Sequence, residues 1–211
     1  SEDEQKVTVG IKTKFKYNID AINLLKKIEN ENRLANKLEQ QILARYSGWG
    51  GLSQAFDENN SGWHNEYLEL KLTLTEDEYK SARASTTNAH YTSNVIIKSI
   101  YSALDSFGFE EGNILEPSMG IGNFFANIPE KMEESKLYGV ELDSISGRIS
   151  KQLFQKANIE IKGFEETKFD DNFFDVVIGN VPFGDYKLYD PKYNKINFQI
   201  HDYFCAKSLD K

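Results

Sequence analysis

The 211-residue sequence holds one cysteine, four prolines and four arginines, and no apolar run that approaches the length of a bilayer. A single cysteine excludes a disulfide scaffold and fits a reducing cytoplasm. The lack of a long apolar run argues against a transmembrane segment, and the acidic start Ser1-Glu2-Asp3-Glu4 is the reverse of a signal peptide. Positive charge is scarce as well: 33 acidic against 25 basic residues leave a net charge of −8. A module that grips nucleic acid by phosphate neutralisation alone would carry the opposite balance. His201 and Cys205 stand four apart on a predicted final helix, but no other metal ligands have suitable spacing, and a packed face shared with Ile200 and Phe204 is the simpler reading. The sequence opens without methionine and stops inside that helix, so a piece of a larger protein is expected.

What is there falls into two parts. Residues 6–17 alternate Val7, Val9, Ile11, Phe15 and Tyr17 with lysines, the period of a strand or extended arm. An edge strand protected by lysines and a phosphate-tracking arm both fit. From Asn18 to Tyr46, Ile22, Leu25, Ile28, Leu34, Leu38 and Ile42 recur at three and four, which predicts one or two amphipathic helices. Ser47-Gly-Trp-Gly-Gly51 breaks them, and Trp49 and Trp63 read as a packing corner. Residues 63–74 fit a helix or, by the alternation Leu68, Leu70, Leu72, Leu74, a strand; Thr75-Glu-Asp-Glu78 is a capping box opening a helix through Ala84. Residues 1–87 are thus expected to form an arm and a helical extension.

Residues 88–211 change character. Ser93 opens a helix through Val95, Ile96, Ile100 and Leu104 to Gly108, and a regular beat follows: strand 113–116, helix 122–128, strand 137–142, helix 144–157, strand 159–162, then the continuous apolar strand FDVVIG at 174–179. Strand-helix alternation with short turns predicts an α/β, Rossmann-like doubly wound sheet.

The chemistry-bearing residues lie at predicted strand ends. In Leu115-Glu-Pro-Ser-Met-Gly-Ile-Gly-Asn-Phe124, Gly120 and Gly122 let the backbone turn tightly after the first strand, where doubly wound sheets bind nucleotides. The third glycine of the dinucleotide fingerprint is replaced by Phe125, which argues against NAD or FAD. Glu141, closing the second strand beside Leu142, is placed to accept two ribose hydroxyls. At the end of the fourth strand come Asn180-Val181-Pro182-Phe183. The Asn180 side-chain carbonyl and the Val181 backbone carbonyl can accept both hydrogens of an exocyclic amine while Phe183 stacks on the ring bearing it. His90-Tyr91-Thr92 precedes the helix beside the first strand. After the Phe183 turn, residues 186–195 interleave tyrosines with lysines, which suits a flipped-base strand or a solvated loop.

These four elements, in this order, resemble the γ-type N6-adenine DNA methyltransferases, and RYSGWGG at 45–51 with ARASTTNAHYTS at 82–93 looks like the methylase region of large helicase-methylase proteins of bacterial mobile elements, a restriction-modification setting. The resemblance covers roughly residues 88–211. It implies a class I methyltransferase fold, here expected to be truncated on its C-terminal side, with S-adenosylmethionine as cofactor. It also implies that Tyr91 and Thr92 contact the methionine end, that Glu116, Pro117, Ser118, Gly120, Gly122 and Phe124 wrap the cofactor, that Glu141 and Leu142 hold its ribose, and that Asn180, Val181, Pro182 and Phe183 hold a flipped adenine. The first proline of the family's N-P-P-F is Val181 here, and the third-strand Asp is absent from Lys162-Gly163-Phe164-Glu165; Phe164 is expected at the cofactor adenine, with Glu165 or Glu166 taking the missing hydrogen bond. No metal is implied. The expected partner is DNA, bound through the larger protein, and an unpaired edge of the fourth strand is expected to favour self-association. The rival readings are methylation of a protein glutamine or an RNA amine, and a non-catalytic cofactor- or DNA-positioning module.

Overall fold

A computed structural model describes residues 10–87 and 92–211. The chain divides into two compact units, parted between residues 90 and 91. Tyr91 and the start of the predicted arm lie outside the described residues.

The first unit is helical: α1 (Ile11–Asn30), α2 (Lys37–Leu43), α3 (His64–Thr73) and α4 (Glu76–Ala84), with short 3-10 turns between. The predicted strand over 6–17 is, from Ile11 onward, the first turns of α1. The alternation ends at Phe15, whose burial belongs to a helical series with Ile19, Ile22, Leu25 and Ile28, so packing overrides the period-two pattern. Two lysines of that stretch are anchored here: Lys12 pairs with Glu66 at 2.5 Å and Lys14 donates to the Gly50 carbonyl at 2.7 Å. Gly48 and Gly51 turn the chain at φ 64° and 74°, and Asn18 braces the corner, donating to Gly48 O and accepting from Ser47 N. Trp49 fills it, edge-on to Phe15, Tyr46 and Phe56, and Trp63 packs on Phe15. Residues 64–73 are helical, with Leu70 buried and Leu68 and Leu72 outside. Leu34, Leu38 and Ile42, read as a buried face, are exposed; Leu43 is the buried residue of α2. The capping box forms as expected, with Thr75 Oγ1 accepting from Glu78 N and Glu78 Oε2 from Thr75 N.

The second unit is α/β: α5 (Asn94–Ser106), β1 (Asn113–Glu116), β2 (Lys136–Glu141), α6 (Ser144–Leu153), β3 (Asn158–Ile161), β4 (Val176–Val177) and α7 (Ile200–Asp210). The four strands are all parallel in the order β3-β2-β1-β4, a Rossmann-like doubly wound sheet. Ile114 and Ile178 meet Ile97 and Tyr101 of α5 on one face, the face on which α6 also packs, and Leu115 and Val140 meet Tyr203 and Phe204 of α7 on the other. Three local readings are corrected. The predicted helix over 122–128 is a single 3-10 turn, because Gly122 sits at φ 84° and a helix does not propagate through it. α5 buries Ile97 and Tyr101 and leaves Val95 and Ile96 outside. The apolar run at 174–179 contributes a ladder of two residues, since Phe174 leaves the strand to pack edge-on with Tyr138, Phe169 and Phe173.

Candidate functional site

The chain runs outward from β1 through β2 to β3, then returns to place β4 on the opposite side of β1. The strand order therefore reverses between β1 and β4, and their carboxyl ends border the crevice in which open α/β sheets bind ligands. Glu116 ends β1, and Ile178 N bonds Leu115 O at 2.9 Å just beyond β4. Gly179 lies so close to that strand end that a Cβ there would stand 3.4 Å from Glu116 Cγ and 3.6 Å from Pro117 Cδ. The two motifs separated by sixty residues of chain are thereby adjacent.

The turn after Glu116 is held by several bonds. Met119 N donates to Val140 O, Gly120 N to Glu141 Oε2 at 2.6 Å, and Ser150 Oγ to Gly120 O at 2.7 Å. Glu141 Oε1 accepts from Asp143 N at 2.7 Å, so this carboxylate staples the glycine turn to the end of β2. Gly122, at φ 84°, lies against the Phe154 ring, which a Cβ would approach to 2.4 Å; Gly120, at φ 56°, faces open space. Pro117 is buried, Ser118 half-buried and Leu142 exposed at the rim.

Glu116 is 2% exposed and its Oε2 has no hydrogen-bond partner. Burial, then the charge of Glu141, push its carboxyl well above the usual range, and burial pushes Glu141 up to about 7 against the bonds from Asp143 and Gly120. A buried polar oxygen without a partner is uncommon in a folded protein and marks this strand end.

On the β4 side Asn180 is exposed, Val181 packs into the α7 face of the core, Pro182 is half-buried, and Phe183 is 71% exposed. The Phe183 ring stacks on His201 at 5.9 Å and 30°. His201 Nδ1 is buried without a partner, and no spacing in the sequence tied that histidine to the Asn180 turn. Cys205, read as part of the same packed face, is exposed, because Tyr203, Phe204 and Lys207 point inward instead.

Other candidates sit deeper than expected. Phe124 is 2% exposed, packed among Ile97, Tyr101 and Ile178. Phe164 is likewise 2% exposed, against Phe204 at 5.1 Å, with no ring face open to the crevice; Glu165 is half-buried beside it. Sequence reading missed the group that holds this segment. Buried Lys207 donates to Phe164 O at 2.7 Å and to Asp190 Oδ2 at 3.1 Å, and Tyr203 donates to the same oxygen at 2.7 Å. A lysine at a helical position beside Ser208 and Asp210 gives no such signal in sequence. Thr92 stands half-buried before α5. Among the described residues no three His, Cys, Asp or Glu side chains gather as a metal site, and no helix is long and apolar enough to cross a membrane.

No family model matches the chain. It is 28% identical over 199 residues to the Defense against restriction protein B of Escherichia phage P1, covering 92% of this chain and 7% of that protein. It is 33% identical over 107 residues to the type I restriction enzyme MjaIX methylase subunit of Methanocaldococcus jannaschii, 45% of this chain and 19% of that one. To the type II methyltransferase M.CvrRI of Paramecium bursaria Chlorella virus XZ-6E it is 35% identical over 75 residues, 36% of this chain and 19% of the relative. The chain thus spans a small part of the curated relatives it matches. Among solved structures, a Listeria monocytogenes protein described as a putative class I S-adenosylmethionine-dependent methyltransferase superposes with TM-score 0.47 at 18% identity, over 91% of this chain and 60% of that one.

Proposed function

We propose that this chain is the cofactor-binding part of an S-adenosylmethionine-dependent methyltransferase, and that its acceptor is the N6 amine of adenine in DNA. The observation that carries this reading is the adjacency of the Glu116-Pro117 turn and the Gly179-Asn180 turn at the strand-order reversal. The methylase names of two relatives support the class of reaction. The residues present fit the cofactor: Glu116 Oε2 lacks a partner, and Gly120 leaves its side of the turn open. Glu116 would take the positively charged methionine end, and Glu141, with lone pairs left beyond its two backbone bonds, the ribose hydroxyls. When bound, S-adenosylmethionine supplies an electrophilic methyl group.

The chain's own residues then act on the amine. The N6 lone pair of adenine is delocalised into its ring, so the amine is a poor nucleophile. The side-chain carbonyl of Asn180 and the backbone carbonyl of Val181 accept its two hydrogens, favour tetrahedral geometry at nitrogen and disperse the positive charge that develops there. This is preorganised electrostatics, with no side chain titrating. Phe183, exposed on the rim, offers a ring to a base swung out of its stack.

Calorimetry with sinefungin tests the cofactor half, and mass spectrometry of DNA treated with the larger protein tests the acceptor. Asn180→Ala should leave sinefungin affinity within about twofold and abolish N6-methyladenine. A fully active Asn180→Ala protein would refute the acceptor assignment.

A further inference from the structure

A cleft of about 500 Å³ opens in the first unit, lined from α3, α4 and the residues around 53–59. Nothing in the methyl-transfer reading uses it. One wall is aromatic: Tyr79 is buried and packs 5.3 Å from Phe56, while Tyr67 keeps an open side. Lys71 Nζ stands 3.8 Å from the centroid of Tyr79 and 5.8 Å from that of Tyr67. Arg83 reaches the same space from the last turn of α4.

These two cations differ from the other charges around them. Two of the three acids of α4 are occupied elsewhere, Glu76 by Lys80 at 2.7 Å and Glu78 by Lys26 at 2.7 Å. The two acids in the cleft wall keep their charge but are held by neutral donors: Asp57 Oδ1 accepts from Asn59 N at 3.0 Å, and Glu58 Oε2 from the Tyr67 hydroxyl at 3.4 Å. Among the described residues neither Lys71 nor Arg83 has a carboxylate within ion-pair distance. Each lies in the last turn of its helix, where the helix dipole favours a cation. The dipole does not explain why both face one cavity walled by tyrosines.

A ligand that satisfies this lining carries an anion for the two cations, a flat ring for Tyr67, and mixed donors and acceptors for the polar remainder. The volume is in the range of small-ligand sites. We propose that the cleft binds one nucleotide, its phosphate between Lys71 and Arg83 and its base on Tyr67. Stacking on an aromatic ring beside a phosphate-neutralising cation is how sequence-tolerant nucleic-acid sites work. The nucleotide comes either free or as one unit of a single strand, and the test separates the two.

The probe is a fluorescein-labelled thymidine decamer, followed by anisotropy on the whole chain at low ionic strength, with thymidine monophosphate, inorganic phosphate and a tyrosine-phosphorylated peptide as competitors. Saturable binding is expected. Lys71→Gln and Arg83→Gln should each weaken it at least fivefold and lower the slope of log affinity against log salt by about one. Tyr67→Leu should weaken it as well. Lys80→Gln removes the same charge outside the cleft and should change affinity less than twofold. Far-UV circular dichroism should be unaltered in all four, since these side chains are not part of the core. A decamer at least tenfold tighter than the monophosphate assigns the site to a strand; equal affinity assigns it to a free nucleotide. The proposal is overturned by no saturable binding, by phosphate alone competing as well as the monophosphate, by the phosphopeptide competing best, or by Lys80→Gln matching the cleft variants. Sinefungin affinity, measured in parallel, is independent of every one of these outcomes.

Discussion

Burial holds the carboxyls of Glu116 and Glu141 above the usual carboxylate range, and the charge of Glu141 adds to the effect at Glu116. The folded chain therefore binds more protons than the unfolded chain between pH 4.5 and about 7, and stability falls as pH rises through that window. Acids held low by cations, such as Glu39 against Arg33, act in the opposite sense, but only in more acidic solution. Glu116→Gln removes the buried ionisation while keeping the shape. Its melting temperature should match that of the unsubstituted chain at pH 5 and exceed it by several degrees at pH 8, at about 3 °C per kcal/mol relieved. Its sinefungin affinity should drop, because the partner for a cationic ligand is lost. Thermal scans at both pH values decide this, and an unchanged gap would locate the titrating group elsewhere. The glycines of the same turn separate fold from ligand. Gly122→Ala combines a left-handed φ with a clash on Phe154 and should cost about 3 kcal/mol in urea unfolding. Gly120→Ala pays only the backbone term, about 1 kcal/mol, but sets a methyl group in the open side of the turn and should weaken sinefungin at least tenfold.

At the level of elements, one buried lysine of α7 bridges two of its neighbours. Lys207 joins the Phe164 segment after β3 to Asp190 in the loop after Phe183, so two stretches at the crevice share one anchor. Lys207→Met keeps the apolar stem but leaves a buried carboxylate short of its cation. A loss of about 3 kcal/mol is expected in denaturant unfolding, and hydrogen exchange should quicken in residues 164–167 and 186–195 together. Exchange confined to α7 would show that the lysine couples nothing. The positions of α5, β1, β2, α6 and α7 were legible to within a few residues; in β1, β2 and α6 the spacing of the apolar side chains agrees with their packing, whereas in α5 the extent was legible and the buried face was not. α1 was misread at its start, where Val, Ile and Phe alternate with lysines; only the three-dimensional partners Glu66 and Gly50 show why those lysines suit a helix. Asn180, Glu116 and Glu141 were legible as strand-end residues. The burial of Phe124 and Phe164 was not, since an aromatic after a turn reads the same whether it faces a ligand or a core. The Lys207–Asp190 pair and the Phe183–His201 stack depend on contacts between distant segments that no local pattern encodes.

The whole chain consists of two compact units, and unfolding of such a molecule need not be a single two-state event. Its net charge of −8 predicts weak binding of a 20-base-pair duplex at 150 mM salt, with any affinity confined to low ionic strength; anisotropy measured at both salt concentrations checks this. The placement of the tryptophans has a practical consequence. Trp49 is sealed in the aromatic corner of the first unit and Trp63 packs on the same Phe15, while the α/β unit contains no tryptophan at all. Intrinsic emission excited at 295 nm therefore reports one half of the molecule, whereas the far-ultraviolet helix signal reports both. Sinefungin should raise the melting midpoint seen by dichroism and leave the emission midpoint where it was, whereas a nucleotide seated near Tyr79 should raise both. The protein carries its own two-channel optical readout, able to tell which half has been occupied without any label attached.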